Sequence, residues 1–121
     1  MARQRLHPLR SLRKPSDFQV VFKTGMFVKG SLLNLWICEN EGWSGEAAPR
    51  LGIIINKKTS PRATQRNLWK RRIREAFRHL RHRIKDRVAV VIQSRKQNAV
   101  PSYREIEIEV EKLLAKTQGL K

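Results

Sequence analysis

Acidic residues are scarce in this chain. Ten Asp and Glu stand against 27 Lys and Arg, a net charge of +17. Like charges at that density repel one another in the free protein, and a polyanion relieves the repulsion. Nucleic acid is therefore the expected partner, with an anionic membrane surface second. Cysteine is nearly absent: the single Cys38 excludes an internal disulfide and a cysteine zinc cluster, and inside an apolar run it reads as a small core residue. No apolar run approaches the ~18 residues of a membrane span, and the basic N-terminus lacks the apolar stretch of a signal peptide. These absences suggest a soluble cytoplasmic protein without a membrane role. Repeats and low-complexity linkers are missing too, and 121 residues suit one domain. Walker-type glycine loops, paired carboxylates and a Ser/His/Asp pattern are likewise missing, which points to a binder with no catalytic residue of its own.

The basic residues that are present concentrate in Arg66 to Lys85, which holds nine Lys/Arg and one acid, Glu75. Trp69, Ile73, Ala76, Phe77, Leu80 and Ile84 form one stripe of a 3.6-residue helix. Asn67, Lys70, Arg71, Arg74, Arg78, Arg81 and Lys85 share an adjoining face, and Arg72 and Arg83 flank the stripe on its other side. One helix thus anchors itself by one face and offers a dense cationic surface with another. Lys57, Lys58 and Arg62 precede it. Each phosphate such a cluster neutralises releases counterions, so binding should weaken steeply with salt.

Elsewhere the chain reads as follows. Residues 1–14 carry five Lys/Arg and no acid, and form a flexible basic segment ahead of a single RNA-binding α/β domain over 15–118. Ser16 to Gln19 fits a capping box, Phe18, Val21 and Phe22 share a helix face, and Gly25 suits a C-terminal cap. Leu32–Cys38 reads as a strand, 39–50 as a hairpin loop, and Arg50–Ile55 as a central strand. Asn56–Gln65 is a polar loop. Val88–Gln93 is a third strand, so strand, helix, strand suggests a βαβ unit. Arg104–Glu111 alternates like a strand. However, Ser102 with Glu105 makes a capping box after Pro101, and Tyr103, Ile106, Val110, Leu113 and Leu114 form a helical stripe, so helix is preferred. The fold class is α/β (α+β), a two-layer sandwich of a small mixed sheet and helices in the order α-β-β-(β)-α-β-α.

Two weaker constellations remain. Glu75, His79 and His82 share a helix face and are geometrically able to hold a metal, but no fourth ligand is evident and arginines surround them, so the face reads as solvated, with no metal. Phe18, Phe22 and Trp36 sit on a helix and a strand that can face each other. Taken alone they read as core, although bases of single-stranded RNA stack on such side chains.

Arg66-Asn67-Leu68-Trp69-Lys70-Arg71, followed by Ile73-Arg74-Glu75-Ala76-Phe77, resembles the arginine-asparagine-arginine signature of the protein subunit of bacterial ribonuclease P. Asp17 to Gly25 resembles that family's first helix, and Arg50-Leu51-Gly52 to Lys57-Lys58 the strand and double lysine before its signature. The similar order and spacing cover residues 12–93. Two features depart from the pattern. Leu68 stands at the signature's third residue, which is usually arginine, and the loop Thr59–Gln65 is one residue longer and lacks a glycine. Trp36 replaces an expected Tyr and keeps a stacking surface.

The resemblance implies a left-handed βαβ crossover, against the general right-handed rule. It implies a catalytic RNA that uses Mg²⁺ at its own active site to remove the 5′ leader of precursor tRNA, with no cofactor in the protein and one protein per catalytic RNA. By the same resemblance, Lys58, Arg62, Arg66, Asn67, Lys70, Arg71 and Arg74 contact the catalytic RNA. Phe18, Phe22 and Trp36, with Arg50 and Lys57 at the rim, hold the single-stranded leader. The alternatives are a structural RNA-binding protein of ribosomal type, a protein-only nuclease, and a membrane-active amphipathic helix.

Overall fold

The run Val88–Ile92 is buried at every position, so both of its faces must be covered and both edges paired. The computed structural model, which describes residues 10–12, 14–39 and 49–121, places this run at the centre of a mixed sheet. The elements are β1 (Arg10–Ser11), α1 (Pro15–Thr24), β2 (Met26–Lys29), β3 (Leu33–Glu39), β4 (Arg50–Ile54), α2 (Ala63–Leu80), a 3₁₀ turn (Arg81–Arg83), β5 (Val88–Ser94) and α3 (Tyr103–Lys116). The strand order is β1-β4-β5-β3-β2. β5 runs antiparallel to β3 and parallel to β4, so β4-α2-β5 is a βαβ unit as expected.

The expected hairpin between Leu32–Cys38 and Arg50–Ile55 does not form. β5 lies between those strands, pairing Trp36 and Gly52 with the same residue, Val91. The reason is burial: β3 and β4 each keep half-buried positions, whereas β5 is apolar on both sides and takes the centre. β4 is consequently not central, since only the two-residue β1 covers its outer edge.

Side chains alternate between two layers of core. On one face Leu33, Leu35, Ile37, Leu51, Val88, Val90 and Ile92 pack with Trp69, Ile73, Phe77 and Leu80 of α2 and Ile106, Val110, Leu113 and Leu114 of α3. On the other face Cys38, Ala89 and Val91 meet Leu12 and Val21, with Phe18, Trp36 and Ile54 partly buried around them. The helices therefore divide, α2 and α3 on one side of the sheet and α1 on the other.

Several boundaries differ from expectation. Pro15, whose fixed φ suits the first helical position, starts α1 with Lys14 as N-cap, so Ser16 lies inside the first turn and its capping box does not form. Gly25 is extended, not left-handed; its N–H donates to the Val21 carbonyl at 2.8 Å, and a Cβ there would lie 2.4 Å from that oxygen and 2.7 Å from the Ile37 oxygen. Close approach of two backbones is what requires glycine here. α2 starts at Ala63 and stops at Leu80, so Arg81 and Lys85 leave the helical face assigned to them, while Ile84 stays buried in extended chain.

Residues on either side of 15–118 also make contacts with the sheet and its connections. Residues 10–12, expected in the basic segment, add β1, and the Leu12 N–H donates to Leu51 at 3.0 Å. At the other end Leu120 bridges to Ile84, and the Lys121 N–H donates to Arg83 at 2.7 Å. The rest of the basic segment, residues 1–9 and 13, and most of the 39–50 loop lie outside the described residues. α3 forms with the expected capping box and stripe. No helix among the described residues is long and apolar enough to cross a membrane.

Candidate nucleic-acid interface

Burial of Trp69, Ile73, Ala76 and Phe77 against the sheet fixes the rotation of α2 and turns Asn67, Arg71 and Arg74 fully outward, with Lys70 half-exposed. Arg66 is partly occupied: its Nη1 donates to the carbonyls of Ser60 at 3.0 Å and Pro61 at 2.7 Å, so this guanidinium also pins the loop before the helix. That loop is built on Asn56, which the sequence reading passed over. Its side chain accepts from the Lys58 N–H at 2.8 Å, and its carbonyl accepts from the N–H groups of Thr59 and Ser60. Lys57, Lys58 and Arg62 are exposed around the turn. Arg78 is paired with Glu75 at 2.6 Å and adds less free charge.

On the far side of α2, Arg72 donates to the Pro101 carbonyl at 2.6 Å and ties the helix to the start of α3. Near it, burial raises the pKa of the Tyr103 phenol, and the carboxylate of Glu107 adds to the shift, so the hydroxyl stays protonated. Two members of the face Glu75, His79, His82 are engaged elsewhere: Glu75 pairs with Arg78, and the His79 ring contacts the Glu107 carboxylate of α3. Among the described residues no three metal-ligating side chains converge.

The opposite face of the sheet carries the aromatic residues. The register aligns Gly52, Val91, Trp36 and Phe27 in one row across β4, β5, β3 and β2. α1 lies over part of it. The Phe18 and Phe22 ring centroids are 6.3 Å apart, Phe22 meets Trp36 edge-on at 5.0 Å, and Phe27 approaches Trp36 to 4.7 Å. Phe22 is 40% exposed and Phe27 48%. Phe18, Phe22 and Trp36 thus come together as the sequence suggests, and they remain accessible to a ligand. Phe27 is a fourth member that sequence reasoning missed, because Met26–Lys29 is too short and too exposed to signal a strand.

The two rim cations separate. Arg50 opens β4 and is half-buried, in register with Ala89, whereas Lys57 follows the other end of that strand. The gap is filled from α2. Because β1 is only two residues long, the edge of β4 opens beyond it into a cavity of about 190 Å³, where Leu12, Phe18, Leu51 and Ile53 meet Lys70 and Arg74. Lys70 and Arg74, assigned by sequence to the helix surface alone, therefore also share a cavity with Phe18.

A cationic helix face on one side of a small mixed sheet and a cleft of aromatic rings on the other make this a basic α+β protein with surfaces suited to a polyanion. The chain belongs to the ribonuclease P protein family, whose profile matches residues 6–118. Among its relatives, the ribonuclease P protein component of Pseudanabaena is 33% identical over 109 residues, covering 90% of this chain and 91% of that one. That of Bordetella petrii is 39% identical over 82 residues, 67% of each. The fold is similar to the RNase P protein of Staphylococcus aureus, with a TM-score of 0.80 at 25% identity over 94% of this chain and 100% of that one. For the Thermotoga maritima protein the TM-score is 0.74 at 27% identity, over 88% and 96%.

Proposed function

We propose that this chain is the protein subunit that docks precursor tRNA onto the catalytic RNA of ribonuclease P and assists removal of the 5′ leader. Arg66, Asn67, Lys70, Arg71 and Arg74 of α2, with Lys58 and Arg62 before it, contact the catalytic RNA. Phe18, Phe22 and Trp36 hold the unpaired leader, with Lys57 at the rim and Lys70 and Arg74 facing leader phosphates as well. Hydrolysis belongs to the RNA with its Mg²⁺, and the protein supplies no catalytic group. One protein serves one catalytic RNA, in the cytoplasm where precursor tRNA is processed.

One observation carries this reading: Phe18 of the ring cleft and Lys70 and Arg74 of the cationic helix line the same cavity. The two surfaces are continuous at the sheet edge, and a small cationic body there can bridge two polyanions that otherwise repel. Stacking suits a leader of varied sequence, because every base has a π-face. Family membership favours this reading over the ribosomal-type alternative.

The test is 5′-leader cleavage at limiting Mg²⁺ with catalytic RNA alone, protein alone and both together. The mixture alone should be fast, and the double variants Phe18→Ala/Phe22→Ala and Arg66→Ala/Arg71→Ala should each impair it. If the protein binds RNA yet leaves the rate and Mg²⁺ dependence unchanged, the reading is wrong; cleavage by protein alone would make the chain a nuclease.

A further inference from the structure

The row of rings does not end at Trp36. Phe27, on the edge strand β2, stands opposite Trp36 in the sheet register, and its ring centroid lies 4.7 Å from the indole at a tilt of 44°. Nearly half of the side chain is exposed. Phe27 belongs to neither set of core residues, so its ring serves the row beside Trp36 and not the core. The next row on the same face is Ile54, Gln93, Asn34 and Lys29. In that row the Asn34 Nδ2 donates to Gln93 Oε1 at 3.1 Å, while the Asn34 Oδ1 is buried with no partner among the described residues. Lys29 is exposed at the outer end of the row, two residues beyond Phe27.

We infer that Phe27 is an additional stacking position, which extends the leader cleft past Trp36 by one nucleotide, with Lys29 neutralising the phosphate at its outer end. The inference rests on the leader reading above. The occupant is unpaired RNA: the rings form one continuous series with the cleft, a lysine sits where a backbone phosphate would pass, and a chain of net charge +17 resists pairing this face with its own copy. The consequence is a step in substrate affinity with leader length. Leaders too short to pass Trp36 gain nothing from Phe27, and longer ones gain one stacked base.

The experiment measures equilibrium affinity of the full-length protein with catalytic RNA for precursor tRNAs whose leaders grow one nucleotide at a time. Phe27→Ala, Phe27→Tyr and Trp36→Ala are compared with the parent, with melting temperature and sedimentation recorded for each. Phe27→Ala should lose about tenfold in affinity, the worth of one stacked base, only for leaders beyond a threshold length, and Phe27→Tyr should restore it. If Phe27→Ala matches the parent at every length while Trp36→Ala weakens binding, the extension is wrong and the cleft stands. If Trp36→Ala also has no effect at any length, the leader reading itself fails. A loss independent of leader length would make Phe27 a structural support of the cleft. A change in oligomeric state with leader binding intact would make it a contact between copies of the chain. Either result overturns the inference.

Discussion

The Phe18 ring fills the space that a side chain at residue 52 would occupy. A Cβ on Gly52 would lie 2.6 Å from Phe18 Cε1, 2.8 Å from Cζ and 3.2 Å from Leu12 Cδ1. The glycine is what lets an α1 side chain lie against β4 at the edge of the cleft. Gly52→Ala should therefore displace the ring, lower leader affinity, and cost about 1–3 kcal/mol of stability through overpacking. Catalytic-RNA affinity should hold. Precursor binding measured beside thermal unfolding checks this, and unchanged leader affinity would show that Phe18 placement does not matter.

Arg66 and Arg71 should respond differently to substitution although both lie on the cationic part of α2. Arg71→Ala removes an exposed charge and should lower the salt slope of catalytic-RNA binding by about one. Arg66→Ala removes the donor to Ser60 and Pro61 as well, so it should also loosen the 59–61 loop, and Arg66→Lys should restore the slope without restoring the loop. Salt titrations with amide exchange across Asn56–Arg62 separate the two effects.

Glu109 is buried in α3, yet its carboxylate is spent on the turn between β2 and β3. It accepts from the N–H groups of Leu32 at 2.6 Å and Leu33 at 3.1 Å and from the Ser31 hydroxyl at 3.2 Å. Glu109→Ala strands those donors and should destabilise by about 2–4 kcal/mol. Glu109→Gln keeps an acceptor oxygen and should lose less. Denaturant midpoints test the order, and equal losses would rule out the hydrogen bonds as the cause.

The capping box of α3 gives a pH dependence. The Ser102 N–H and then its hydroxyl hold the Glu105 carboxyl below its ordinary pKa. A folded-state pKa below the unfolded one contributes stability that is complete above the ordinary glutamate value and is lost as pH falls through the depressed one. The first turn of α3 should thus fray in acid, below the ordinary glutamate range. Ser102→Ala should return Glu105 toward its usual pKa and, through loss of the cap, cost about 1 kcal/mol. NMR titration of the Glu105 side chain reads this directly; identical curves for parent and variant would mean that the Ser102 hydroxyl does not hold the carboxylate in solution.

Local pattern was sufficient wherever one segment carried its own signal. The stripe from Trp69 to Leu80 gave α2 and its buried face, and Ser102 with Glu105 decided that the alternating Arg104–Glu111 run is helix. The aromatic trio was legible as residues, and the family resemblance gave it an expected role, but its fourth ring, Phe27, lies on an edge strand with almost no pattern of its own. Asn56 and Gly52 were hidden because each acts through contacts with a loop or a helix elsewhere in the chain.

The sequence by itself determined the charge and the anchored cationic helix, through composition and periodicity, and its motifs carried the resemblance to the family. Tertiary structure alone decided that β5 separates β3 from β4, that α1 and α2 lie on opposite faces, and that Lys70 and Arg74 share a cavity with Phe18. Those outcomes depend on which strand is buried on both sides and on where a two-residue β1 leaves the sheet edge open, and such competition is decided between segments far apart in the chain, so the pattern of one segment does not settle it.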